Sequence, residues 1–186
     1  MTDATAVPIP AVNGPAVGAL DAVVARATAV LRALAVAFGL LFVLIWHSWY
    51  AAAPWRVVPP LLSLGWGVVF AARCLRHGPR PRLVGVDVGL GLLLAPCGGW
   101  LVPPPSVGDG GNWVFAAVFS VALAAGWSLP ALPAALAVLA LGGAYVAGSD
   151  LTGVSGPTPG VPVRSFVLLV VLSVTWVVAV QVLRRR

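Results

Sequence analysis

Few groups in this chain can do chemistry. Its carboxylates are five aspartates, its imidazoles two histidines and its thiols two cysteines; glutamate and lysine are absent. No glycine-rich phosphate loop, His-Glu-x-x-His, Cys-x-x-Cys or Gly-x-Ser-x-Gly string occurs. Phosphate cradling, zinc-assisted hydrolysis, thiol redox chemistry and serine acylation therefore all lack their residues. No two carboxylates are spaced for paired acid–base work. The expectation is no catalytic residue, no cofactor site and no metal ligand set, and hence no enzyme.

The histidines read as ordinary residues. His47 stands among Trp46, Trp49 and Tyr50 with no second histidine near it to share a metal. It fits a belt of side chains that are apolar in the body and wet at the tip. His77 precedes Gly78 and Pro79, a turn composition. Cys74 and Cys97 are too few for a disulfide framework and read as small packing residues.

Asp87 is different. It is the acid set well inside an apolar run, and an ionisable residue in such a run is a functional candidate by default. It follows Arg82 by about a turn and a half of helix, which places it near a membrane interface, within reach of water or of a loop arginine. A functional acid and an interfacial anchor both fit. Gly85 and Gly89 form a Gly-x-x-x-Gly pair around it. A two-residue step turns the helix by about 200°, so the pair is expected to pack on a neighbouring helix while Asp87 faces elsewhere.

The elements that hold these residues follow from composition. Of 186 residues, 60% are hydrophobic and 9% charged, and mean hydropathy is +1.02. Soluble domains carry roughly 25% charged residues, so this chain cannot cover an ordinary water-facing surface. An all-α, polytopic membrane protein is expected. Apolar runs separated by turn signals predict spans near 33–50, 58–73, 83–102, 113–127, 131–148 and 165–183. Residues 1–18 read as a disordered cytoplasmic tail without a signal-peptide pattern, and 19–186 as one domain of six transmembrane helices. Pro96, Gly98 and Gly99 predict a kink or early unwinding at the end of the third span.

All eleven basic residues are arginines, and their distribution sets the expected orientation. Arg73, Arg76, Arg80 and Arg82 crowd the connection between the second and third spans, and Arg184, Arg185 and Arg186 end the chain. With both termini cytoplasmic, these seven join Arg26 and Arg32 inside, leaving Arg56 and Arg164 outside. That division agrees with the positive-inside rule. The net charge of +6 is explained by span ends beside anionic headgroups, so the bilayer and not nucleic acid is the expected partner. The expected location is the plasma membrane. The Ala/Val/Gly/Pro/Arg bias matches the proteome of a GC-rich bacterium.

Three segments carry a resemblance: Arg26 to Arg32 entering the first span, Arg82-Leu-Val-Gly-Val-Asp87, and Gly111-Asn-Trp113 before a span that ends Ala125-Gly-Trp127. Together they resemble the membrane-embedded input region of actinobacterial sensor histidine kinases that signal to LuxR/NarL-type regulators. The resemblance covers about residues 25–186 and implies six spans and a role in signal transduction within a two-component system. Neither a dimerisation helix with a phospho-accepting histidine nor an ATP-binding lobe follows the last span. The resemblance therefore implies a sensor without the kinase core, whose partner is a separate histidine kinase or a second copy of the chain.

Two other classes remain. Six spans in 19.0 kDa also suit a substrate-binding subunit of an energy-coupling-factor transporter, for which Ala29, Ala33 and Ala37 would be a docking ladder. Such a subunit needs a polar pocket, and polar span residues are scarce: Ser63, Asp87, Ser120, Ser173, Thr175 and Gln181. The third class is a structural protein acting through helix contacts.

Overall fold

The structure, a computed structural model, describes residues 15–107, 112–151 and 161–185. Within them every regular element is a helix. Eight α-helices follow in order: α1 (Pro15–Ile45), α2 (His47–Ala51), α3 (Val58–His77), α4 (Pro81–Leu94), α5 (Gly98–Leu101), α6 (Trp113–Ser128), α7 (Ala131–Leu151) and α8 (Val161–Arg185). Most of the predicted tail, the acidic loop around Asp109, residues 152–160 and Arg186 lie outside the described residues, as do the side chains of Arg164, Arg184 and Arg185. The first helix begins at Pro15, inside the segment expected to be tail.

Local chemistry accounts for the helix ends. α3 opens with prolines in its first turn, where the missing donors would be unpaired in any case. It closes on Gly78, whose positive φ of 73° is one that glycine adopts without a Cβ penalty. Pro81 then starts α4, so the basic connection expected over 73–82 shrinks to a three-residue turn. Arg73, Arg76 and His77 belong to α3 itself rather than to a loop. Pro96 has no N–H to donate, and α4 gives way to a short 3₁₀ turn at Ala95–Cys97 before α5. The predicted break is there. At the start of α6 the Asn112 side chain accepts from the Phe115 amide at 2.8 Å.

The helices pack around α6. It touches α1, α4, α7 and α8, and twelve of its sixteen residues are buried. A helix that is apolar all round belongs inside a bundle, and α6 occupies that place. Close approach requires glycine at Gly148, where a Cβ would lie 2.3 Å from the backbone of Pro96. α7 thereby seats against the break in α4.

The exterior is as apolar as the core. Leu44, Ile45, Leu62, Leu93 and Leu132 are each more than 60% exposed. Exposed apolar area on this scale marks contact with something other than water. Four segments are long and apolar enough to cross a membrane: Ala22–Ile45, Pro54–His77, Pro81–Leu101 and Ala131–Ser149. The architecture is compatible with a multispan membrane protein.

Two packing expectations change. Gly85 and Gly89 are exposed and a Cβ at either meets nothing within 4 Å, so the pair does not seat a neighbouring helix. The opposite face of α4, carrying Asp87, is the one that packs. In α1, Ala29 is buried while Ala33 and Ala37 are exposed, so the alanines do not form one continuous ladder. Cys74 is buried and Cys97 half-buried, and both are free thiols.

Candidate functional site

Asp87 is 1% exposed. It lies only two turns into α4, but α1, α3 and α6 close over it. Its partner is Arg32 of α1, also buried, and not a loop arginine. Arg32 Nη2 donates to Asp87 Oδ2, while Trp66 Nε1 of α3 donates to Oδ1 at 2.8 Å. Arg32 Nη1 donates to Ser120 Oγ of α6 at 2.6 Å, and that hydroxyl donates onward to the Ala117 carbonyl at 2.7 Å. The guanidinium also lies 4.9 Å from the Phe70 ring centroid, a cation–π distance. One ion pair thus ties together α1, α3, α4 and α6.

The packing beneath Arg32 depends on Gly67. A Cβ there would lie 2.6 Å from Val36 Cγ2 and 3.5 Å from Arg32 Cδ. The glycine lets α3 approach α1 closely enough to cover the stem of the arginine. The two charges cancel, so the centre carries no net charge, although the buried Arg32 Nε has no hydrogen-bond partner. Burial of each ion would cost several kcal/mol if it were alone, which the pairing offsets.

Beside this centre, α3 and α4 stand apart over part of their length. A cavity of about 400 Å³ lies between them, with Arg32 of α1 and Val121 of α6 at its back, and Trp66 and Asp87 among its polar lining. Trp55 and Trp100 border it at the end remote from the Gly78 turn.

A second polar cluster lies at that remote end. Tyr50 donates to the Leu101 carbonyl at 2.9 Å and accepts from Trp113 Nε1 at 2.9 Å. Asn112 donates to the Tyr145 hydroxyl at 2.9 Å. Burial pushes the Tyr50 hydroxyl up to about 12, against smaller opposing effects of the Trp113 hydrogen bond and the Arg56 charge. These groups fasten α2, α5, α6 and α7 together and leave little for a ligand to engage.

Of the residues singled out by sequence, Asp87 lies at the centre. Arg73, Arg76, Arg80 and Arg82 are exposed around the Gly78 turn, remote from Trp100. His47 is exposed, its Nδ1 donating to the Leu44 carbonyl at 3.2 Å. Among the described residues no three His, Cys, Asp or Glu side chains are grouped to hold a metal ion. Sequence reading missed Arg32, Trp66 and Ser120 as partners of Asp87. A signal for Arg32 was present: a charge inside a segment of mean hydropathy 2.4. No family model, curated protein or solved structure matches the chain.

Proposed function

We propose that the chain is an integral membrane protein of six spans with both termini cytoplasmic, working as a sensory input unit of the kind found in histidine-kinase sensors. Supporting six spans, α6 and α8 add to the four long apolar segments. α6 has 16 residues, about 24 Å of helix. The clustering of Arg73, Arg76, Arg80 and Arg82 at one end of α3 and α4, and of Arg184, Arg185 and Arg186 as the last three residues of the sequence, supports the orientation.

The observation that carries the sensory reading is the Arg32–Asp87 pair beside an open cleft. A buried ion pair is poor as a stabiliser, because a well-packed apolar pair of the same volume often does as well or better. It does well what a switch requires, since an ion pair has distinct made and broken arrangements and this one links helices that otherwise touch through apolar side chains. A molecule entering between α3 and α4 would displace Trp66 or Asp87. The displacement reaches α1 through Arg32 and so reaches the cytoplasmic end of that helix.

The test pairs the full chain, in proteoliposomes, with histidine kinases of its host supplied as separate chains. The native chain is expected to change the autophosphorylation rate of one kinase severalfold. A folded R32M/D87L variant is expected to lose that effect. Absence of any effect by the native chain on every kinase refutes the sensory role, and reporter fusions at each terminus test the topology.

The cavity of about 400 Å³ also favours a second reading, a small-molecule-binding subunit of a transporter. That protein would retain a small molecule through gentle detergent extraction and would leave kinase activity unchanged.

A further inference from the structure

The basic turn between α3 and α4 forms a second cavity, of about 460 Å³, distinct from the Arg32–Asp87 centre. Arg73, His77, Arg80 and Arg82 line one part of it, and Trp66, Leu83 and Val86 the other. The Arg32–Asp87 contact is the one ion pair among the described residues, so Arg73, Arg80 and Arg82 face no carboxylate there. Gly78 and Pro79 reverse the chain tightly enough to bring the last turn of α3 and the first turn of α4 around one space. The positive end of the α4 dipole opens at the same place. Trp66 borders both this cavity and the cleft beside Asp87, so the cationic mouth and the apolar cleft adjoin on either side of one ring.

We infer that this site holds one anionic diacyl phospholipid. Its phosphodiester sits among Arg73, Arg80 and Arg82, and an acyl chain lies along Leu83, Val86 and Trp66 into the α3–α4 cleft. The assignment rests on complementarity. Three uncompensated guanidinium groups call for an anion, and guanidinium forks match phosphate oxygens. The apolar continuation calls for a hydrocarbon tail on the same molecule. A zwitterionic lipid would bring its own cation into the arginine cluster, and a free phosphate would leave the apolar lining of the cavity uncovered. The site does not depend on the signalling role, and its failure would leave that role standing.

The experiment uses the full chain, delipidated in neutral detergent, with phosphatidylglycerol, phosphatidylcholine or inorganic phosphate added. Lipid retention is read by native mass spectrometry and protection by thermal unfolding. One phosphatidylglycerol is expected to remain bound and to raise the unfolding temperature, with neither phosphatidylcholine nor phosphate doing so. Each arginine near an anionic lipid contributes about fivefold to affinity, so R73Q/R80Q/R82Q is expected to lower phosphatidylglycerol affinity about a hundredfold. R73K/R80K/R82K keeps the charge and is expected to stay within about tenfold of native. Because removing three arginines can disturb insertion, V86W supplies the decisive comparison: it fills the apolar side of the cavity, leaves every charge in place, and is expected to weaken lipid retention at least tenfold. Equal binding of the two lipids, equal protection by inorganic phosphate, or native affinity in V86W would each overturn the assignment.

Discussion

Asp87→Asn probes the centre most directly. The carboxylate accepts from Arg32 at one oxygen and from Trp66 at the other. Asparagine keeps one acceptor and replaces the second with an N–H₂ group, which must face a donor. At least one charge-assisted hydrogen bond goes, worth about 1.5–3 kcal/mol. Arg32, 6% exposed, is left as a buried cation without a counter-ion, beside Ser120 and the Phe70 ring. Removing one partner of a buried pair costs about 3–5 kcal/mol in total. For a chain of this size that corresponds to a fall of roughly 10 °C in unfolding temperature. Replacing both partners with apolar residues, R32M/D87L, removes the orphan charge and is expected to restore most of the loss, within about 1 kcal/mol of native. The assay is thermal unfolding of the detergent-solubilised chain for native, both single variants and the double variant. D87N within about 0.5 kcal/mol of native, or a double variant as unstable as the sum of the singles, would refute the reasoning.

Three further outcomes follow from the packing and the hydrogen bonds. Trp66→Phe keeps an aromatic ring, though a smaller one, and removes the donor 2.8 Å from Asp87, and unfolding measurements should show a loss of about 1.5–3 kcal/mol. Gly148→Ala forces a Cβ against the Pro96 backbone and should destabilise by about 1–3 kcal/mol, whereas Gly85→Ala and Gly89→Ala meet open space and should be neutral or stabilising by up to about 1 kcal/mol on the same assay. Tyr50 has its folded-state pKa raised to about 12, so the folded state holds this proton more tightly than the unfolded one. Its stabilising share is complete below about pH 10 and is lost as pH rises through about 12, a step that should vanish from alkaline unfolding curves in Y50F.

Much of the local architecture was legible because single residues dictate it. Gly78 and Pro79 in a turn and Pro96 at a break each act through their own backbone chemistry. The direction of the helix faces was harder to read. In a soluble helix the polar face marks the outside, but here the exposed and buried faces of α4 are both apolar, so hydropathy alone does not point the helix. Gly85 and Gly89 therefore read as an interface although they are exposed, while Asp87 on the opposite side read as shallow although it is buried. Arg32 was misjudged for a related reason. An arginine near the start of an apolar run reads as a flank, and only the helix beginning seventeen residues earlier, at Pro15, puts it inside.

The sequence by itself determined the apolar character of the chain and its helices. With 9% charged residues, the chain has apolar runs much longer than the roughly 10 residues of a barrel strand, and runs of that length satisfy their backbone away from water as helices. Tertiary structure decided which helix lies at the centre and which charges meet. Arg32 and Asp87 are 55 positions apart, with neither spacing nor hydropathy to connect them. They pair because Gly67 lets α3 close over α1 and because α6 presents Ser120 to the same point. A buried charge finds its counter-ion in space rather than along the chain, so that choice belongs to the packed bundle.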